Sequence, residues 1–276
     1  MSERPTGEPP QRFDASYYRD TYPVEQWRRF DRHWWANRYY ARLAERLLKR
    51  AGGSRVLDVG CGQGSLLAHL KPRVEVWGIE VSDYAAQRCA VLAPRARIVV
   101  GNIEEGIPEG MPEGGFDVLI ARYLLEHLQD PSAAIRHCAS LIRPGGYFLF
   151  SVPNTGSPGL RLKGSQWFGY LDETHCSLLA PEEWLRLTGQ SGLRLERVFS
   201  DGLWDVPYVK WVPRLLQLAI FSLPTILAVL LVSTSLPLSW GENLIAFARK
   251  PLTSTAPGDA PGVAMRERSP ESRTNS

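Results

Sequence analysis

Short apolar runs recur along the chain and are separated by polar, glycine- or proline-bearing stretches. Seven of them have strand length and composition: residues 56–59, 74–80, 96–100, 116–120, 147–152, 193–199 and 244–248. Those in the first half are nearly continuous in Val, Leu and Ile, which suits strands buried on both faces. Helical periodicity fills the gaps. Trp27, Phe30, Trp34, Leu43, Leu47 and Leu48 fall on one helical face. With Pro23 at its start and Gly52-Gly53 as a stop, they predict an amphipathic helix over 24–51. Further helices are expected from Ser82 as an N-cap, over 132–142, and from Pro181 with Glu182 and Glu183 in its first turn. The polar, Pro-rich ends, 1–12 and 251–276, read as disordered tails.

The first strand runs into Asp58-Val59-Gly60-Cys61-Gly62-Gln63-Gly64, and residues 65–70 behind it are helix-compatible. Strand, glycine-rich turn and helix form the unit that offers backbone N–H groups to a bound cofactor. A turn that merely packs tightly is the plainer reading. The spacing is G-x-G-x-G, whereas a dinucleotide site has G-x-G-x-x-G. Glu80 closes the second strand eighteen positions beyond Gly62. An acid near that offset accepts from ribose hydroxyls in Rossmann-like sites, although a strand-end carboxylate can also be a surface charge.

Composition narrows the picture only slightly. The chain has 276 residues, is 44% hydrophobic and carries a net charge of +3, enough for one sizeable core. Its basic residues are scattered, which argues against nucleic acid as a partner. Cys61, Cys89, Cys138 and Cys176 have no zinc-ligand spacing. They read as reduced cytosolic thiols, and no metal site is expected. The polar N-terminus has no apolar signal region.

The string V-L-D-V-G-C-G-Q-G resembles motif I of the class I S-adenosylmethionine (SAM) methyltransferases. F-D-V followed by L-E-H-L-x-D-P, and L-I-R-P-G-G-Y-F-L-F beyond it, resemble the ubiquinone and menaquinone-type branch (methyltransferase type 11/23). The resemblance implies a Rossmann-like α/β fold: a seven-stranded sheet with helices on both faces and the last strand antiparallel. It also implies SAM as cofactor. Asp58, Gly60, Cys61, Gly62 and Gly64 would hold its amino-acid end, with Glu80 on the ribose and Arg122 at the end of the fourth strand completing the set. Near the adenine the family often has G-D-x-E; here Asn102 stands in the acid's place and Ile103 would pack on the ring. An amide oxygen still accepts but adds no charge assistance. The chain lacks the Asn/Asp-Pro-Pro-Tyr block of enzymes that methylate amino groups of adenine or glutamine.

The resemblance divides the chain into a helical lid (13–53) and a methyltransferase domain (54–250). The lid's aromatic residues can equally be a packing face. A hydroxyl acceptor needs a base, and imidazole titrates near working pH. His175, in an exposed-looking aromatic stretch with Trp167, Phe168 and Tyr170, and His127 in L-E-H are the candidates. His127 could instead only hydrogen-bond within a helix cap.

Residues 211–240 interrupt the fold. No charge occurs from 215 to 232, and Trp211, Arg214 and Trp240 flank the run. By length it is a membrane-span candidate. If strands six and seven are neighbours, however, the segment must begin and end on one side of a bilayer, and two crossings need about 40 residues. A helical hairpin bent at Pro224, lying in a membrane interface at the inner face of the membrane or contacting an apolar substrate, is the favoured expectation. A partner surface or an internal cover are the others. The sequence thus points to methyl transfer onto a small or lipid-like acceptor, at oxygen by the resemblance. The competing readings are a SAM-binding, membrane-docking protein without transfer activity and a nucleotide-dependent oxidoreductase.

Overall fold

The computed structural model describes residues 12–20 and 29–252. The expected tails, apart from their inner ends, and the expected start of the long helix at 24 lie outside these residues. The chain-order elements are α1 (Ala15–Asp20), α2 (Arg32–Ala51), β1 (Arg55–Val59), β2 (Glu75–Glu80), α3 (Asp83–Leu92), β3 (Arg97–Val100), β4 (Phe116–Arg122), α4 (Pro131–Leu141), β5 (Ile142–Pro153), α5 (Pro181–Gln190), β6 (Arg194–Ser200), α6 (Arg214–Leu231) and β7 (Asn243–Arg249). Short helical turns at Pro158–Lys163 and Phe168–Leu171 precede α5. One seven-stranded sheet has the order β3-β2-β1-β4-β5-β7-β6. β7 is antiparallel to both neighbours, and the pairs between β1 and β5 are parallel.

Strand alternation builds two cores. Val56, Val118, Ile120, Tyr147 and Leu149 face α2 and α3, where Tyr39, Leu43, Leu47 and Cys89 meet them. Leu57, Val59, Leu119, Phe148 and Phe150 face α4 and α5, with Ile135, Cys138, Trp184 and Leu187. Two expected signals hold: Ser82 accepts from Ala85 N, and Gly52 closes α2 at φ 68°. The long helix starts later than expected: residues 29–31 turn, with Phe30 at φ 73°, and Asp31 caps the helix by accepting from Trp34 N at 2.7 Å. Residues 65–70 differ from expectation. They make only a 3₁₀ turn at Leu67–His69, because Pro72 disfavours helical backbone at Lys71 just behind it.

The apolar insert is a single helix. The expected hairpin is absent: residues 232–240 return irregularly, with one 3₁₀ turn at Leu238–Trp240. Pro224 does not break α6. A π-helical stretch, Leu218–Ser222, precedes it and widens the backbone where the ring would otherwise strike a carbonyl one turn back. Buried Gln217 fixes the helix entry by bonding the backbone of Tyr208, Val209 and Val212. At the exit, Tyr39 Oη donates to Ser233 O at 2.7 Å, and Arg46 bonds the carbonyls of Leu231 and Val232. Only 17% of α6 is buried. The connected strands β6 and β7 are neighbours, as the topological argument against a single crossing requires.

Candidate functional site

The glycine turn lies at the carboxyl end of β1, between β2 and β4. Gly60, Gly62 and Gly64 all have positive φ (71°, 53° and 84°). The turn does not offer its N–H groups outward as expected. Gly60 and Cys61 donate to Ile79 O, Gly64 to Cys61 O, and Gly62 to Glu80 Oε2 at 2.7 Å. The glycines serve close packing: a Cβ at Gly60 would strike Leu124, and one at Gly64 would lie 2.5 Å from Cys89 Sγ. Gly62 differs. The nearest atom to a Cβ there is Tyr18 Cε1 at 3.7 Å, so among the described residues only α1 comes within 4 Å of a side chain at this glycine. Cys61 is buried, its side chain packed close to Gly78.

Glu80 is the centre of this edge. It is 2% exposed. Oε1 accepts from Ser82 N and from Tyr18 Oη, both at 3.0 Å, and Oε2 accepts from Gly62 N. Burial raises its pKa against these hydrogen bonds. Tyr18 therefore sits over Glu80 with a hydroxyl, and its own pKa rises through burial and through the neighbouring carboxylate.

Asp58 is buried beside the turn. Burial pushes its pKa up to about 7, Arg122 draws it down and Glu80 raises it. Arg122 stacks over Tyr40 and Tyr123 and bonds Asn37 of α2 at 2.5 Å. It thus ties β4 to the helical cover while its charge reaches Asp58. Asn102 is engaged locally: Oδ1 accepts from Glu104 N and Nδ2 donates to Glu105. Ile103 is packed in the main core, and its carbonyl bonds His137 Nδ1.

The two histidines, 48 positions apart in the chain, come together with ring centroids 4.6 Å apart. Two backbone bonds, from Cys176 N and Ser177 N to Glu126 O, join their segments. His175 Nδ1 lies 2.7 Å from Gly169 O; a carbonyl only accepts, so Nδ1 carries the proton. His127 Nδ1 lies 2.8 Å from Thr174 Oγ1, whose own proton goes to Asp172 Oδ1 at 2.5 Å. His127 therefore also donates through Nδ1. Its burial lowers its pKa to about 4, so the ring is neutral with Nε2 bare. Glu126, unremarked in the sequence, joins them: ligand-capable atoms of Glu126, His127 and His175 all lie within 4.8 Å of one another. Phe13 packs edge-on against His127, and Tyr17 Oη donates to Asp172 Oδ2 at 3.4 Å. One short segment, Phe13 with α1 behind it, thus covers both Glu80 and the histidine pair.

The aromatic stretch is not a uniformly exposed cluster. Tyr170 is exposed, but Trp167 is fully buried and donates to Glu242 Oε2 at 2.7 Å. Glu242 also accepts from Ser157 Oγ and Tyr208 Oη. Neither this network nor the roles of Tyr18 and Glu126 has a linear signal, apart from the Tyr17-Tyr18 pair and the E-H dipeptide themselves.

Residues 30–198 match the family described as methyltransferase domain. Among curated proteins, a probable S-adenosylmethionine-dependent methyltransferase of Mycolicibacterium smegmatis is 34% identical over 134 residues, covering 47% of this chain and 50% of the relative. A ubiquinone biosynthesis O-methyltransferase of Alkalilimnicola ehrlichii is 37% identical over 105 residues, covering 37% of this chain and 42% of the relative. The chain thus spans half or less of the length of these relatives. Among solved structures, a SAM-dependent methyltransferase of Thermotoga maritima, described as a possible histamine N-methyltransferase, superposes with a TM-score of 0.55 at 15% identity. That match covers 85% of this chain and 97% of the other.

Proposed function

Because this chain belongs to the methyltransferase domain family, in its class I SAM-dependent form, we propose that it transfers a methyl group to an oxygen of a small, apolar or lipid-like acceptor. The observation that carries the reading is the bond between Gly62 N and Glu80 Oε2. It couples the glycine turn to a buried carboxylate at the same sheet edge. The oxygen preference leans on the ubiquinone O-methyltransferase relative, and residues 54–250 are assigned as the transferring unit with 13–53 as its cover.

The residues fit the cofactor. Its ammonium only donates, and the turn, with the N–H groups of Gly60, Cys61, Gly62 and Gly64 already used, has acceptors to give: the Asp58 carboxylate and main-chain carbonyls. Its ribose hydroxyls suit Glu80, where Tyr18 Oη now stands as a hydroxyl in their place. Gly62 leaves room that a Cβ would fill. When bound, SAM supplies a methyl carbon activated by its sulfonium. The chain aligns the acceptor and excludes water under α1, which is where most of the rate advantage of such a transfer arises. His175 Nε2, with Asp172 Oδ2 3.9 Å away to steady the imidazolium, is assigned to take the acceptor's hydroxyl proton. His127 borders the same space. Asn102 is assigned to the adenine end only through the remaining lone pair of its oxygen, and Ile103 only as a wall behind it.

Helix α6 is assigned to a membrane surface. Leu215, Leu216, Ile220, Leu223, Ile226, Leu227, Leu230 and Leu231 are all exposed, each by about half or more, a patch too long and apolar to be an ordinary water-facing surface. Beside it runs a groove lined by Arg38, Arg42, Arg46 and Lys49 together with Val229 and Leu230. Cations next to an apolar ridge complement an anionic lipid surface. At about 27 Å and with both ends tied to one sheet, the helix suits lying in the interface at the inner face of the membrane.

Titration with S-adenosylhomocysteine (SAH) and with NAD, followed by tritiated-methyl transfer into an organic extract, tests the reading. SAH binding with a labelled extractable product is expected. NAD binding in its place overturns it, and SAH binding without any labelled product leaves a binding protein.

A further inference from the structure

We propose that Glu126, His127 and His175 form a binding site for a divalent transition-metal ion such as Zn²⁺. The linear sequence hides it, because the ligands come from two segments that only the fold joins. Three observations carry it.

Both imidazoles are oriented by their Nδ1 atoms. Gly169 O holds one, and a Thr174–Asp172 relay holds the other. Anchoring of the distal N–H by a carbonyl or a carboxylate relay is how metal-binding histidines are fixed in tautomer and direction. It leaves Nε2 of each ring, the rings' centroids being 4.6 Å apart, as the nitrogen open to a metal. The third side chain is a carboxylate with no exposure at all, and neither Oε1 nor Oε2 has a hydrogen-bond partner. A buried carboxylate without partners is costly: burial pushes the Glu126 pKa up to about 8, and a bound cation would hold it ionised. Finally, the donor set of two imidazoles and one carboxylate matches open three-ligand sites, in which a fourth position is left to water or substrate.

The ligand atoms lie within 4.8 Å of one another. A tetrahedral Zn²⁺ at about 2.1 Å from each brings them to about 3.4 Å apart, a closure of roughly an ångström reached by side-chain rotation. Phe13, against His127, and Tyr17 of α1, bonded to Asp172, lie beside the cluster, and α1 also covers Glu80. An acceptor hydroxyl bound at the open position would lose its proton more readily, to water, since His175 Nε2 is then a ligand and no longer the base. This consequence alone rests on the methyl-transfer reading; the metal site does not.

The test uses the untagged full chain, stripped with chelator, loaded with ZnCl₂ and dialysed before elemental analysis. Co²⁺ loading gives a second readout through its visible absorption. About one equivalent of Zn²⁺ per chain and a tetrahedral Co²⁺ spectrum are expected. His175→Gln and Glu126→Gln should each lower retained metal at least tenfold while melting cooperatively. No retained metal in the wild type, or equal retention in both variants, overturns the proposal. SAH titration of the same preparations separates the two ideas. SAH binding without metal retention removes the metal site alone, whereas metal retention without SAH binding removes the methyl-transfer reading alone.

Discussion

Tyr18 Oη donates to Glu80 Oε1 at 3.0 Å, across 62 positions of sequence. It fills one of the acceptor sites that a ribose hydroxyl would use. That oxygen also accepts from Ser82 N, so both its lone pairs are taken and a sugar hydroxyl bound to Oε1 must displace the tyrosine.

Tyr18→Phe is therefore expected to tighten SAH binding by about threefold to tenfold, since the bond displaced contributes roughly 1 kcal/mol net. Isothermal titration of both proteins measures it. Weaker binding in the variant would mean that Tyr18 holds the cofactor and does not compete with it.

Glu80→Gln keeps the shape but loses charge and one acceptor oxygen. Hydrogen bonds to charged groups contribute about 1.5–3 kcal/mol, so SAH affinity should fall by roughly tenfold to a hundredfold. An unchanged Kd removes Glu80 from the sugar site.

Asp58 sets a pH dependence. Burial raises its pKa in the folded, ligand-free chain to about 7, from an unfolded value near 3.8. Between those values the folded state binds more protons, so stability falls as pH rises from about 4 through 7. An ammonium placed beside Asp58 favours its ionised form. SAH binding should then release a proton below pH 7 and tighten as pH rises to 7. Titration in buffers of different ionisation enthalpy detects that release. Asp58→Asn should abolish it, and should gain stability relative to wild type as pH rises over the same window.

Leu216→Glu with Leu227→Glu places two charges on the exposed face of α6. Exposed substitutions cost little stability, within about 0.5 kcal/mol each. The double variant should melt like wild type and bind SAH equally, yet fail to float with anionic vesicles. Flotation of both proteins alike, or of neither, would sink the membrane assignment.

Glu242→Ala tests the network beneath the aromatic stretch. It strands the buried donors of Trp167, Tyr208 and Ser157, and at about 1–3 kcal/mol for each unsatisfied group the loss should exceed 3 kcal/mol. Urea denaturation reads it directly.

The sheet was legible in the chain because each strand has its own apolar run, and because period-two alternation assigns Val56 to one core and Leu57 to the other. The caps at Ser82 and Gly52 and the helix from Pro181 were legible for the same local reason: they depend on neighbours within four residues. The glycine turn and Glu80 carried a spacing signal that survives folding, although the direction of the turn's N–H groups did not. Tertiary structure alone decided the partners. Trp167 lies buried because Glu242, seventy-five positions away, receives its N–H. The apolar insert is one helix because Arg46 and Tyr39 of a distant helix cap its end. Glu126 and His127 meet His175 because two backbone bonds close a loop of some fifty residues. Periodicity and spacing encode contacts local in sequence, whereas long-range pairings follow from which faces the assembled sheet brings together.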